Sequence, residues 1–169
     1  MTRTRIILHA TVAIGVLWTI PVQAEDIPKR RDGLWETVTS SQVTTKDGTV
    51  GAIRAVKQCI DGKTDSLAQS AIGRYGSCEQ VRSVKTAQGY EVEASCSAGQ
   101  STLKALFSGD FSSRVTADVT STEVLAPGQQ PRTVMTTIKS RYIGPCTADQ
   151  RPGDIINPDG TIVRPRGTK

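Results

Sequence analysis

The chain has 169 residues, with 21 basic against 16 acidic side chains, a formal net charge of +5 and a pI near 9.2. Its length argues for one domain. Aromatic residues make up 4% of it and do not interleave with basic ones as in single-strand nucleic-acid platforms, so nucleic acid is not an expected partner. The lone histidine, His9, leaves no imidazole beyond the N-terminal segment for acid–base catalysis or metal ligation.

Residues 1–24 have the layout of a secretory signal peptide. Arg3 and Arg5 are followed by an apolar stretch over residues 6–20, then by Pro21-Val22-Gln23-Ala24, with small residues at the −3 and −1 positions. That stretch is shorter than the roughly 20 apolar residues of a membrane span. The reading is cleavage after Ala24 and a periplasmic or secreted product with no transmembrane segment. No cysteine stands at the cleavage point to carry a lipid anchor. Residues 25–33 form a polar lead-in, in which Lys29-Arg30-Arg31 reads as a solvated cluster able at most to attract anionic envelope surfaces weakly.

A single β-rich domain is expected over residues 34–155. Residues 34–45 and 49–59 read as a hairpin about Lys46-Asp47-Gly48. A short helix follows, capped by Asp61 or Thr64, with Leu67, Ala68, Ala71 and Ile72 on one face and Gly73 as its stop. Residues 79–85 and 90–95 pair about Thr86-Ala87-Gln88-Gly89. Tyr90, Val92, Ala94 and Cys96 alternate with polar residues, as in a half-buried strand. Residues 102–108, 111–122 and 133–143 read as three more strands, separated by turns at Gly109-Asp110 and at residues 126–131. Residues 156–169 read as a mobile C-terminal tail. Antiparallel strands in sequence order with one helix predict a mainly β fold, a curled meander sheet forming an open or partial barrel. An immunoglobulin-like sandwich is the rival, but its arrangement of Trp and Cys is missing.

All four cysteines, Cys59, Cys78, Cys96 and Cys146, follow the signal segment, and an even count in an exported chain implies two disulfides. Cys78 and Cys96 are equidistant from Ala87 and would meet across the hairpin, which leaves Cys59 for Cys146. The rival, Cys59–Cys78 with Cys96–Cys146, would clasp the ends of the helix. In a strict meander, however, Cys96 and Cys146 fall at opposite ends of the sheet, too far apart to bridge.

No motif for chemistry stands out. Glycine-rich phosphate loops and closely spaced metal-ligating cysteines do not occur. Glu91 and Glu93 share a strand face that reads as solvent, and Asp154 and Asp159 lie in turn-forming stretches. No catalytic, cofactor or metal residue is expected, and the chain is read as no enzyme. Trp35, opening the first strand, is read as a packing anchor of the sheet or a ligand-stacking residue at the mouth of a cup.

Several stretches carry a resemblance: Lys29 to Glu36 (KRRDGLWE), Gln58 to Ile60 (QCI), Ser77-Cys78, Gly89 to Cys96 (GYEVEASC), Phe107 to Phe111 (FSGDF) and Gly144 to Asp154 (GPCTADQRPGD). In these the chain resembles the bacterial domain-of-unknown-function family 3617, small exported proteins. Asp32 stands where that family commonly has Pro before Gly-Leu-Trp-Glu. The resemblance implies one periplasmic domain and carries no assigned catalytic residues. Two functions are therefore entertained. One is a non-enzymatic envelope-associated protein that binds an apolar or amphipathic small ligand. The alternative is an interaction module that docks an envelope protein through a sheet edge.

Overall fold

The computed structural model describes residues 26–72, 78–96, 100–126 and 128–164. The signal segment and the Gly73 stop lie outside the described residues. The elements are β1 (Gly33–Thr45), β2 (Gly48–Ile60), α1 (Leu67–Ile72), β3 (Cys78–Lys85), β4 (Tyr90–Cys96), β5 (Ser101–Gly109), β6 (Arg114–Glu123), β7 (Arg132–Gly144), β8 (Ile155–Ile156) and β9 (Ile162–Val163). They form one antiparallel sheet of order β3-β4-β5-β6-β7-β1-β2-β8-β9, an open sheet rather than a sandwich or closed barrel.

Two hairpin runs follow sequence order, β1–β2 and β3 through β7, but β2 does not pair with β3. The α1 connection instead carries the chain to the far edge, and β7 returns to pair with β1 along its length, from Trp35↔Tyr142 to Thr44↔Thr133. The order thus departs from a strict meander at two points, where β1 buries an edge that β7 would otherwise leave open and where β8 lies beside β2. Residues 156–163, read from the sequence as tail, instead continue the sheet, and with Ile155 they add β8 and β9 beyond β2, with Lys57↔Ile156 and Gln58↔Ile155.

Period-two alternation sets the faces. Val92, Ala94 and Cys96 of β4, Leu103, Ala105 and Phe107 of β5, Val115, Ala117 and Val119 of β6 and Ile138 of β7 are buried on one face, with Leu67 and Ala71 of α1 against them. Six helical residues are too few to cover nine strands, so the sheet curls about its own inner face. Neither Asp61 nor Thr64 caps α1. Asp61 closes the preceding turn, accepting the Thr64 N–H at 2.8 Å and the Lys63 N–H at 3.0 Å, while Asp65 accepts the Leu67 N–H at 3.1 Å.

The strand expected from residue 111 begins at Arg114. The Asp110 carboxylate collects the N–H groups of Ser112, Ser113 and Arg114 at 2.8, 2.6 and 3.1 Å, which closes a tight turn and puts Phe111 at φ +58°. A side chain in this region is strained. The Phe111 ring is compensated by burial and an edge-to-face contact with Tyr90 at 5.9 Å. Gly89, at φ +147°, lies so close to the Phe107 carbonyl that a Cβ would stand 2.1 Å from its oxygen.

The disulfides are Cys59–Cys146 and Cys78–Cys96. Cys78 and Cys96 face each other in the β3–β4 register, as the hairpin symmetry requires. Cys146 lies two residues beyond β7 and reaches across the start of β1 to Cys59 near the end of β2, with Cα atoms 5.6 Å apart.

Candidate functional site

Of the Lys29-Arg30-Arg31 cluster, read from the sequence as solvated, Arg30 is buried in the domain while Lys29 and Arg31 stay exposed. Arg30 is 2% exposed. Its Nη2 and Nε donate to Asp65 Oδ1 at 2.8 and 3.0 Å, and its backbone N–H donates to Asp65 Oδ2 at 2.6 Å. The remaining donors reach Gln58 Oε1 at 3.3 and 3.4 Å, Ser140 Oγ at 3.2 Å and Thr37 Oγ1 at 3.5 Å. Thr37 and Ser140 also bond each other at 3.0 Å. A guanidinium presents a planar fork of five donors, and this pocket offers acceptors to all sides of it. The pair ties the lead-in to the entry of α1, across 35 residues of sequence. Lys29 donates to the Gly62 carbonyl, and the Arg31 guanidinium lies 4.5 Å from the centre of the Tyr142 ring.

Trp35 is fully buried in the core. Its indole N–H donates to the Arg31 carbonyl at 2.7 Å, Tyr142 meets it edge-on at 5.7 Å, and the Arg30 guanidinium lies 5.4 Å from its ring centre. This is a packing position, with no ring face left for a ligand. Glu91 and Glu93 stay on the outer face, where Glu93 pairs with Lys104 at 2.9 Å. The lysine's hydrogen bond and charge hold the Glu93 carboxyl below its usual range. Asp154 is buried and accepts the Arg151 N–H at 2.9 Å, while Asp159 accepts the Thr161 N–H at 2.9 Å, so both serve turns. Among the described residues no three His, Cys, Asp or Glu side chains gather as metal ligands.

Beside the Arg30–Asp65 pair an open groove of about 740 Å³ runs between α1 and the inner face of β1 and β2. Thr37, Thr39 and Ser41 supply hydroxyls along one strand, because alternate residues of β1 point inward. Val56, Leu67 and Ile138 make an apolar wall, and Arg54, opposite Thr39 in the register, brings a positive charge. Arg54 is exposed and has no ion-pair partner among the described residues. Such a lining can bury an apolar body, hydrogen-bond a polar flank and neutralise an anionic group.

Sequence reasoning missed both the buried Arg30 and the groove. The spacing of Arg30, Asp65 and Ser140 carries no local signal, and the hydroxyls of β1 read as ordinary strand residues.

Fold and groove together define a disulfide-braced, open antiparallel β domain with a mixed polar and apolar cleft on its inner face. The chain belongs to the family described as Protein of unknown function (DUF3617), whose model matches residues 30–146. No curated protein and no solved structure matches it.

Proposed function

We propose that this is an exported, periplasmic, non-enzymatic protein that holds an amphipathic small ligand in the groove beside α1. The observation that carries the reading is the groove itself. Its volume of about 740 Å³ falls within the range typical of small-molecule sites, and it combines a hydroxyl row, an apolar wall and one unpaired cation. The residues named in its lining include no carboxylate, imidazole or thiol, which favours binding over acid–base or nucleophilic chemistry. Two disulfides suit an oxidising compartment.

Native mass spectrometry of protein purified from the periplasm tests the reading. A bound species is expected on the wild type and is expected to be lost on Thr39→Trp, which fills the groove. An unliganded mass for both proteins would refute it. N-terminal sequencing should begin at Glu25, and a product that retains Trp18 would refute export by cleavage. An esterase, phosphatase and peptidase screen should stay at background; an activity abolished by one point substitution would refute the non-enzymatic reading.

A second reading, docking of a protein partner through a sheet edge, is favoured by a separate observation. β8 pairs only with Lys57 and Gln58 of β2, leaving the rest of that strand's outer edge without a neighbouring strand among the described residues.

A further inference from the structure

We propose that the outer edge of β2, over residues 49–55, receives an extended acidic segment of a partner protein as an added antiparallel strand. The proposal rests on the second reading and shares Arg54 with the groove.

The register fixes which backbone groups are open. The Cys59 N–H donates to the Asp154 carbonyl at 3.0 Å, and the Cys59 carbonyl accepts the Gly153 N–H at 2.8 Å, so both groups of Cys59 point away from β1. The β1–β2 register runs without a shift from Gly33↔Ile60 to Thr45↔Gly48. In an antiparallel strand this direction alternates with period two. Lys57, Ala55, Ile53, Gly51 and Thr49 therefore also point outward, while Val56, Arg54 and Ala52 bond to β1. β8 covers Lys57. Among the described residues no strand pairs with the N–H and C=O groups of Ala55, Ile53, Gly51 and Thr49, which form a template for another strand.

Exposed edges are ordinarily blunted by proline, a bulge or charge. The edge at β3 carries such a bulge, between Glu79 and Arg82. Residues 49–55 of β2 hold no proline and no bulge, and Val50 and Ile53 are 75% and 77% exposed. Charge selects the occupant. β2 bears Arg54 and Lys57 and no carboxylate. An incoming residue opposite Arg54 would lie on the inner face at the groove, where an acidic side chain meets the unpaired guanidinium. A second copy of β2 would bring another pair of cations and no acid.

The test uses the exported, disulfide-bonded protein and amide hydrogen exchange read by NMR. Without peptide, the N–H groups of Gly51, Ile53 and Ala55 should exchange much faster than those of Ala52 and Arg54. The probe is the acetylated, amidated peptide Val-Asp-Val-Asp-Val-Asp-Val. At saturation it should protect Gly51, Ile53 and Ala55. Replacing its Asp residues by Lys should weaken binding about tenfold or more, a loss of about 1.4 kcal/mol or more. N-methylating alternate amides should abolish binding.

Ile53→Pro removes an outward N–H and no bond to β1, so it should abolish binding while keeping the native amide spectrum elsewhere. Should that variant not fold, the N-methylated peptide makes the same test on the wild-type protein. Equal binding of the Asp and Lys peptides would overturn the acidic partner while leaving edge docking in place. No protection at millimolar peptide would overturn edge docking itself. A concentration-dependent dimer in light scattering, with Gly51, Ile53 and Ala55 protected in it, would assign the edge to a second copy and overturn the partner segment.

Discussion

The Arg30–Asp65 pair yields the sharpest test of how this domain is held together. The two side chains are 1% and 4% exposed, 2.8 Å apart. Asp65→Asn keeps the shape and the acceptor for Leu67, but leaves a buried guanidinium among the neutral acceptors Gln58, Thr37 and Ser140. Breaking a buried pair in this way costs about 3–5 kcal/mol. Arg30→Met leaves the buried carboxylate without its cation and should cost about as much. The double variant removes both charges. Thr37 still bonds Ser140 at 3.0 Å and Gln58 at 3.3 Å, so these three side chains keep partners. The double variant should therefore lie within about 2 kcal/mol of wild type, which makes the coupling about 4 kcal/mol or more. Urea unfolding of the four proteins with both disulfides intact measures the cycle. Single losses that add in the double variant to within about 0.5 kcal/mol would refute the argument.

Three further outcomes are expected. Replacing Cys59 and Cys146 by Ser should cost about 4–5 kcal/mol, and replacing Cys78 and Cys96 about 3 kcal/mol, because the closed loops differ in length, with sequence separations of 87 and 18; urea unfolding showing the reverse order would refute the entropic account. The Ser113 hydroxyl and the backbone N–H groups of residues 112–114 hold the Asp110 carboxyl well below its usual range. The stability it contributes is thus fully present above the unfolded-state value near 3.9 and is lost only as pH falls through the lower folded value. An NMR titration should find Asp110 still ionised at about pH 3, and an ordinary titration midpoint would refute the turn geometry. Gly89→Ala should destabilise by about 2 kcal/mol or more in urea unfolding, since the added methyl meets the Phe107 carbonyl at a φ that L residues avoid.

Particular residues show how far the sequence could be read. Alternation along Tyr90, Val92, Ala94 and Cys96 placed β4 and its buried face, because a strand's faces follow from near neighbours alone. The hairpin centred on Ala87 gave the Cys78–Cys96 pairing by the same local logic, and Cys59–Cys146 followed by elimination. The start of β6 was misread because a single carboxylate, Asp110, outcompetes strand propensity at Phe111.

Contacts across long sequence separations decided the rest. Period-two patterning fixes which way a side chain faces but not which strand lies beside it. The return of β7 to β1, which brings Ser140 to Thr37 across 103 residues, had no signature in either strand. The lead-in looked like a solvated basic run because Arg30 finds Asp65, Gln58 and Ser140 only after the sheet has formed. The groove and the open edge of β2 arise where α1 and β8 stop short of covering the sheet, and coverage belongs to the assembled fold, not to any stretch of sequence.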